Sequence, residues 1–461
     1  MNHIYRLFIW VMFTVSFCSC GQGKTIAWPN GISLAEDTIN SKILGLIKDG
    51  VISIDKDIDL RGHKCVVPPD VTLTFNGGVV KNGTLVGNNT RLNGKIPYFD
   101  RVRITGLWDV PTINTTLFKD LSYDNSIKDV VALSNQTIKN EIVIRKGEYF
   151  VSAIKNNDVC IPISSNTKLT IDGEIRIKPN NLCGYNIIQV TGDNVVIRGN
   201  GVIVGDKFEH YGNEGEWGMG IRITKAHNIH VEGLTIKECW GDCIYLGKNS
   251  RNIVVNNCIL DNGRRQGVSI TSGEKIVIKN CAISNVGGTK PQYAIDVEPN
   301  KNEFVSDVLI EKCRINRCCG GITSSGGAKG AHIGSIRINK CSISDITSHA
   351  PLKLRTADYV TIENCDINNK TIRLVFLFQG VNKVVIRNNV IKTKSYLLEP
   401  CSNLSLLNND ISCRYLYTKE DKEGKFRNVM IMNNTFRGTI PELGQSNKGL
   451  NIVMSKNKLK K

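Results

Sequence analysis

Acidic residues are scarce in this chain. Against 59 Lys and Arg it carries 42 Asp and Glu, a formal net charge of +17. A basic excess of that size favours polyanions: nucleic acid, an anionic membrane surface or an acidic polysaccharide. No nucleic-acid-binding motif is present, so nucleic acid is not an expected partner. No apolar run is long enough to span a bilayer; the one from Leu7 to Phe17 is too short. The 16 cysteines include no CxxC pair, which argues against the common zinc and thioredoxin-like patterns. No low-complexity linker divides the 461 residues, and 41% hydrophobic content suffices for one long core.

What is present is a repeat. An eight-residue phrase reads IVVNNCIL from Ile253, IVIKNCAI from Ile276, VLIEKCRI from Val308, IRINKCSI from Ile336 and VTIENCDI from Val360. It continues from Val384, Leu404, Val429 and Ile452, with fainter copies from Val195 and Ile229. Successive starts lie 20 to 34 residues apart, mostly 23 to 25. Fixed-period self-similarity marks a solenoid, and apolar–polar alternation within each copy marks a strand. Together they predict an all-β fold, a right-handed parallel β-helix.

The sixth position of the phrase runs Asn200, Leu234, Cys258, Cys281, Cys313, Cys341, Cys365, Asn389, Asn409, Asn434, Asn457. Equivalent positions in such a coil stack at about 4.8 Å, so a Cys ladder gives way to an Asn ladder inside one bend. Asn there satisfies bend backbone groups, and Cys acts as a small hydrophobe. The ladder is therefore read as packing rather than a metal site. For Cys239/Cys243 and Cys318-Cys319, disulfides stay open.

The start ends its apolar run in Phe17-Cys18-Ser19-Cys20, which resembles a bacterial lipoprotein signal over 1–19 with Cys20 acylated. That implies export to the periplasm, outer membrane or cell surface, with membrane contact only through the lipid anchor. Residues 20–118 hold strand phrases with Asn-Gly and Gly-Gly turns, a β-rich module. Ser122 to Gln136 reads as an amphipathic helix capping the coil, because a solenoid's first rung otherwise leaves an open edge. Residues 119–461 form the coil, expected as a monomer.

Aligning the second strand of each rung gives GIRIT (220–224), CIYLG (243–247), GVSIT (267–271), AIDVE (294–298), GITSS (321–325), PLKLR (351–355) and LVFLF (374–378). Their third residues point outward as a column: Arg222, Tyr245, Ser269, Asp296, Thr323, Lys353, Phe376. The fifth residues add Glu298 and Arg355; the position before each strand adds Asp242 and Gln266; a turn adds Arg264 and Arg265. A solvated face would be Thr, Ser, Asn and Lys. Acids and bases gathered on one face form a candidate site. Trp217 and Trp240 supply surfaces for sugar rings. His210 and Tyr211, in an insertion over the cleft, and His332 and His349, in bends, are read as loop or structural positions.

The repeats and the cap resemble the pectate lyase superfamily of right-handed β-helices over the last three quarters of the chain. WGDCIYLG, RRQGVSITSGE and YAIDVEPN are similar to the central rungs of its carbohydrate-active members. WGDC resembles the acid-bearing rung of the polygalacturonases, but Asp242-Cys243 stands where they carry Asp-Asp, and their His-Gly and Arg-Ile-Lys signatures are missing. The epimerases' Asp-Pro-His-Glu signature is missing too.

The resemblance implies action on an anionic, uronic-acid polysaccharide: a glycosaminoglycan such as chondroitin sulfate, pectin or alginate. For a lyase, Lys353, Arg355 or Arg265 serves as base and Tyr245 as acid. Arg222 and Arg264 hold the uronate, with Gln266 in the same cleft. Asp242, Asp296 and Glu298 bind Ca2+ or orient those arginines. For an inverting hydrolase, two carboxyls must stand about 6.5–9.5 Å apart. Asp242 and Asp296, two rungs or about 9.6 Å apart, are stretched; Asp296 with Glu298, at about 6.5–7 Å, is better spaced. Basic balance and missing signatures favour the lyase, with hydrolase, epimerase and non-catalytic glycan binder as alternatives.

Overall fold

A strand that alternates β-branched and polar residues buries one face, and repeated strands hide it by coiling around a shared interior. The computed structural model describes residues 25–27, 50–156, 158–369, 374–376, 380–398, 402–418, 427–438 and 451–460. The leader and Cys20 lie outside them, as does Phe378. Two compact units result, Met1–Ser152 with Ile161–Gly173 and Ala153–Cys160 with Glu174–Lys461.

In the first unit, Val51–Ile54, Thr72–Phe75, Val80–Gly94 and Phe99–Asp109 pair in parallel. Phe75, Phe99 and Trp108 fill the interior, with Phe75 stacked on Tyr98 at 4.4 Å between ring centroids. The expected helix covers only Ser126–Val131. Two adjacent β-branched valines close it, and downstream the Asn135 side chain accepts from the Thr137 N–H at 3.0 Å, an Asx turn that competes with further helix.

The second unit is the right-handed coil, and its repeat phrases pair as the alignment predicts. Ile229 pairs with Ile253, Ile253 with Ile276, Ile276 with Val308, Val308 with Ile336, Ile336 with Val360, and Val360 with Val384. The fifth residue of each phrase from Ile253 on turns left-handed, with φ from 52° at Asn257 to 57° at Asn433. Asn tolerates that region better than other side chains and recurs there.

The sixth residue then enters the coil. Cys258, Cys281, Cys313, Cys341 and Cys365 are buried, followed by Asn389, Asn409 and Asn434. The thiol of Cys281 lies 3.7 Å from the Val255 carbonyl. Asn409 Nδ2 donates to the equivalent Ile386 carbonyl at 3.0 Å, while its Oδ1 accepts from the Asn389 N–H at 3.0 Å. No disulfide joins the described cysteines, Cys239/Cys243 and Cys318-Cys319 included. Asn200 departs from the ladder: it is exposed. Val202 pairs with Thr235, so Gly201 takes the position of Leu234 because that bend holds one extra residue.

Replacing Asn409 with Leu strands the Ile386 carbonyl and the Asn389 N–H away from water. At about 1–3 kcal/mol per buried unsatisfied group, Asn409→Leu should lose at least about 2 kcal/mol. The loss should appear as a lower midpoint in urea at unchanged slope; an unchanged midpoint would remove the ladder from the bend's energetics.

Candidate functional site

The outward column forms as the alignment predicts. Arg222 pairs with Tyr245, Tyr245 with Ser269, Ser269 with Asp296, Asp296 with Thr323, and Thr323 with Lys353. The Leu374–Phe376 strand instead hydrogen-bonds with Val390–Leu398, so the paired column ends at Lys353 among the described residues. Much of the column is covered: Ser269, Asp296 and Thr323 are buried.

Two buried acids are tied in place. Asp242 is fully buried and accepts from Arg265 Nη1 at 3.0 Å and from the Ser269 hydroxyl at 2.7 Å. Burial raises its carboxyl to about 6, against the pull of the Arg265 guanidinium. One rung on, the Gln266 amide donates to Asp296 at 2.7 Å, and Gln266 Oε1 accepts from the Tyr293 N–H at 2.9 Å. Burial first, and Glu298 second, push Asp296 up to about 8. Glu298 itself is exposed.

Four expectations need correction. Arg265 is no base: burial lowers its pKa, but Asp242 and Glu216 outweigh that and raise it, holding the proton. Glu216 lies 3.5 Å from its Nε, off hydrogen-bond geometry. Arg264 does not face a uronate; its guanidinium sits 3.6 Å over the Trp240 ring and donates to the Gly215 carbonyl at 3.2 Å. Trp240 is 8% exposed, with His210 stacked on it at 3.8 Å, so neither of its faces is open to a sugar. Gln266 is buried and spends both amide atoms on protein.

His210 is also no solvated loop residue: its side chain is buried, with Nδ1 2.9 Å from Asp206. Tyr211 is exposed. His332 pairs with Asp358 at 3.1 Å, and His349 stacks on Tyr293 at 5.4 Å.

The rest separates along the axis. A groove of about 420 Å3 is lined by Arg222, Tyr245, Arg265, Trp217, Thr271 and Asn186, among others. Trp217 is 54% exposed. The Arg222 guanidinium lies 5.5 Å from the Tyr245 ring centroid and enters no ion pair among the described residues. The Thr271 hydroxyl donates to the Tyr245 phenolic oxygen at 2.8 Å. Lys353 and Arg355 stand elsewhere: four register steps separate Tyr245 from Lys353, about 19 Å at about 4.8 Å per rung. One sugar cannot meet both. Asp242, Asp296 and Glu298 do not fit calcium as a set, since no cluster of three His, Cys, Asp or Glu with metal-holding geometry occurs among the described residues.

Asp158, Asn186 and Asn300 also line the groove and escaped the alignment. Asn186 was legible one rung earlier, since Gly184–Val190 pairs with Trp217–Thr224 and sets Asn186 opposite Met219. Asp158 and Asn300 lie outside the strands and carry no periodic signal.

Residues 148–306 match the family described as the right handed beta helix region. The chain is 27% identical over 212 residues to the SPbeta prophage-derived uncharacterized protein YorA of Bacillus subtilis, covering 38% of this chain and 36% of YorA. It thus spans about a third of that relative's length. Among solved structures it is similar to PfbA, a surface adhesin of Streptococcus pneumoniae (TM-score 0.52, 14% identity, 71% of this chain and 90% of PfbA). It is also similar to the polygalacturonase from Erwinia carotovora (TM-score 0.48, 11% identity, 75% and 96%). These likenesses bear on the fold alone.

The raised Asp296 carboxyl makes a pH prediction. Its folded pKa exceeds the unfolded value, so between about 4 and 8 the fold holds more protons than the unfolded chain, and stability falls as pH rises. Asp296→Asn, which keeps an acceptor for Gln266, should remove that loss. Its melting temperature should match the parent near pH 4 and exceed it increasingly towards pH 8; a constant difference would refute the assignment.

Proposed function

We propose that the chain is a polysaccharide lyase that cleaves a uronic-acid-containing anionic polysaccharide by β-elimination in the Arg222–Tyr245 groove. The carrying observation is the groove's lining. It offers an unpaired guanidinium and a fixed phenol, while Asp242 and Asp296, one of the two acid pairs open to an inverting hydrolase, are buried and bonded to protein. Asp158 is the one carboxylate lining it, and two are needed for inversion.

In this reading Arg222 neutralises the uronate carboxylate, which acidifies the neighbouring C5–H. Tyr245, entering as the phenolate with its own proton already given to solvent, takes the C5 proton; the C5–H electron pair becomes the C4–C5 double bond as the C4–O bond breaks. Tyr245 then returns the proton to the leaving oxygen. Trp217 offers a ring face to the sugar. Arg265, paired with Asp242, holds the groove's floor and adds positive potential. The leader over 1–19, with Cys20 acylated, belongs to the same proposal, as export and tethering near an extracellular polymer.

One observation favours a second reading. A carboxyl protonated near neutral pH, Asp296, stands two residues from exposed Glu298, the pair an inverting hydrolase would use.

The test follows ultraviolet absorbance and reducing ends together on a panel of uronic-acid polysaccharides. The lyase gives an absorbing 4,5-unsaturated product. Tyr245→Phe should lower kcat by about 10²–10⁴-fold, and Arg222→Ala should lower kcat/KM by about 10²–10³-fold. New reducing ends without absorbance, abolished by Asp296→Asn, would establish the hydrolase instead.

A further inference from the structure

Several cations on the coil are held in ion pairs. Arg337 and Arg387 flank the buried Glu363, Arg437 pairs with Asp410, and Arg265 with Asp242. Lys353 and Arg355, like Arg222, enter no ion pair among the described residues. They lie two residues apart on one rung, where the buried Arg355 Nε–H finds no acceptor. A buried donor without a protein partner calls for an acceptor from outside the protein, a water or a ligand atom. His349 stacks on Tyr293 beside them. Their mutual proximity registers electrostatically: burial and then Arg355 lower the Lys353 ammonium pKa, and burial and then Lys353 lower that of His349. Asp296 and Glu298 pull the other way on Lys353 without closing an ion pair, which leaves the cations open to an anion.

We infer that Lys353 and Arg355, with His349 beside them, form a second anion-binding subsite that grips a carboxylate or sulfate of the same polysaccharide far from the reacting sugar. The inference rests on the groove reading for its substrate. Five register steps run from Arg222 to Lys353, about 24 Å, a span several sugar rings long. The ligand is therefore a polyanion lying along the coil axis, and the subsite favours attack within a chain over trimming of a short end.

The test measures binding without turnover, in the full chain carrying Tyr245→Phe. Ligands are polygalacturonate, chondroitin sulfate and a uronate disaccharide, with Lys353→Gln and Arg355→Gln added singly. Each should weaken polymer affinity about tenfold, the size of a lost charged hydrogen bond, flatten its salt dependence, and leave disaccharide affinity unchanged. Lys353→Arg should restore polymer affinity, separating lost charge from lost fold. Loss on both polymers assigns the subsite to carboxylates; loss on chondroitin sulfate alone assigns it to sulfate. Unchanged polymer affinity overturns the inference, as does an equal fall for polymer and disaccharide. If no unsaturated product ever forms yet polymer binding still needs Lys353, the lyase reading fails and the subsite stands.

Discussion

At the fifth position of each repeat the backbone turns left-handed, and at the sixth a side chain enters the coil to meet the bend's own peptide groups. That pairing of a strained turn with an inward Cys or Asn repeats from Cys258 to Asn434. It fixes where each strand begins, and so which residue of one rung faces which residue of the next. A slip of one residue would turn every core side chain outward. Because the bend forbids the slip, Arg222, Tyr245, Ser269, Asp296, Thr323 and Lys353 stand in one file.

Much of this was legible because it is periodic. The phrase starts pair in the structure as they align in the sequence, and the column follows from strand alternation alone. Where a bend holds one more residue, as at Gly201, counting fails, and Asn200 was misplaced for that reason. The helix was overestimated because an amphipathic pattern says nothing of the Asx turn at Asn135 that competes with it.

Roles within the site were less legible. Alternation shows that Asp242, Gln266 and Asp296 point away from the core, yet each is buried by its neighbours on the outer face. The His210–Trp240–Arg264 stack could not be read from spacing, because it joins an insertion to a turn. Arg264 and Arg265 are adjacent and alike in sequence; one lies on an indole and the other on a carboxylate. Lys353 and Tyr245 share a column, and only their separation along the axis takes them out of one reaction centre.

The same file of outward residues has a consequence for change over time. Core and bend follow one pattern from rung to rung, so a whole rung can be duplicated or lost with little disturbance of the rest. Each such event would move Lys353 relative to Arg222 by one rung and nothing in between. The coil then acts as a ruler with discrete graduations. Its match to a repeating polymer would be adjusted in whole steps of length, while single substitutions within a rung would alter what each mark recognises.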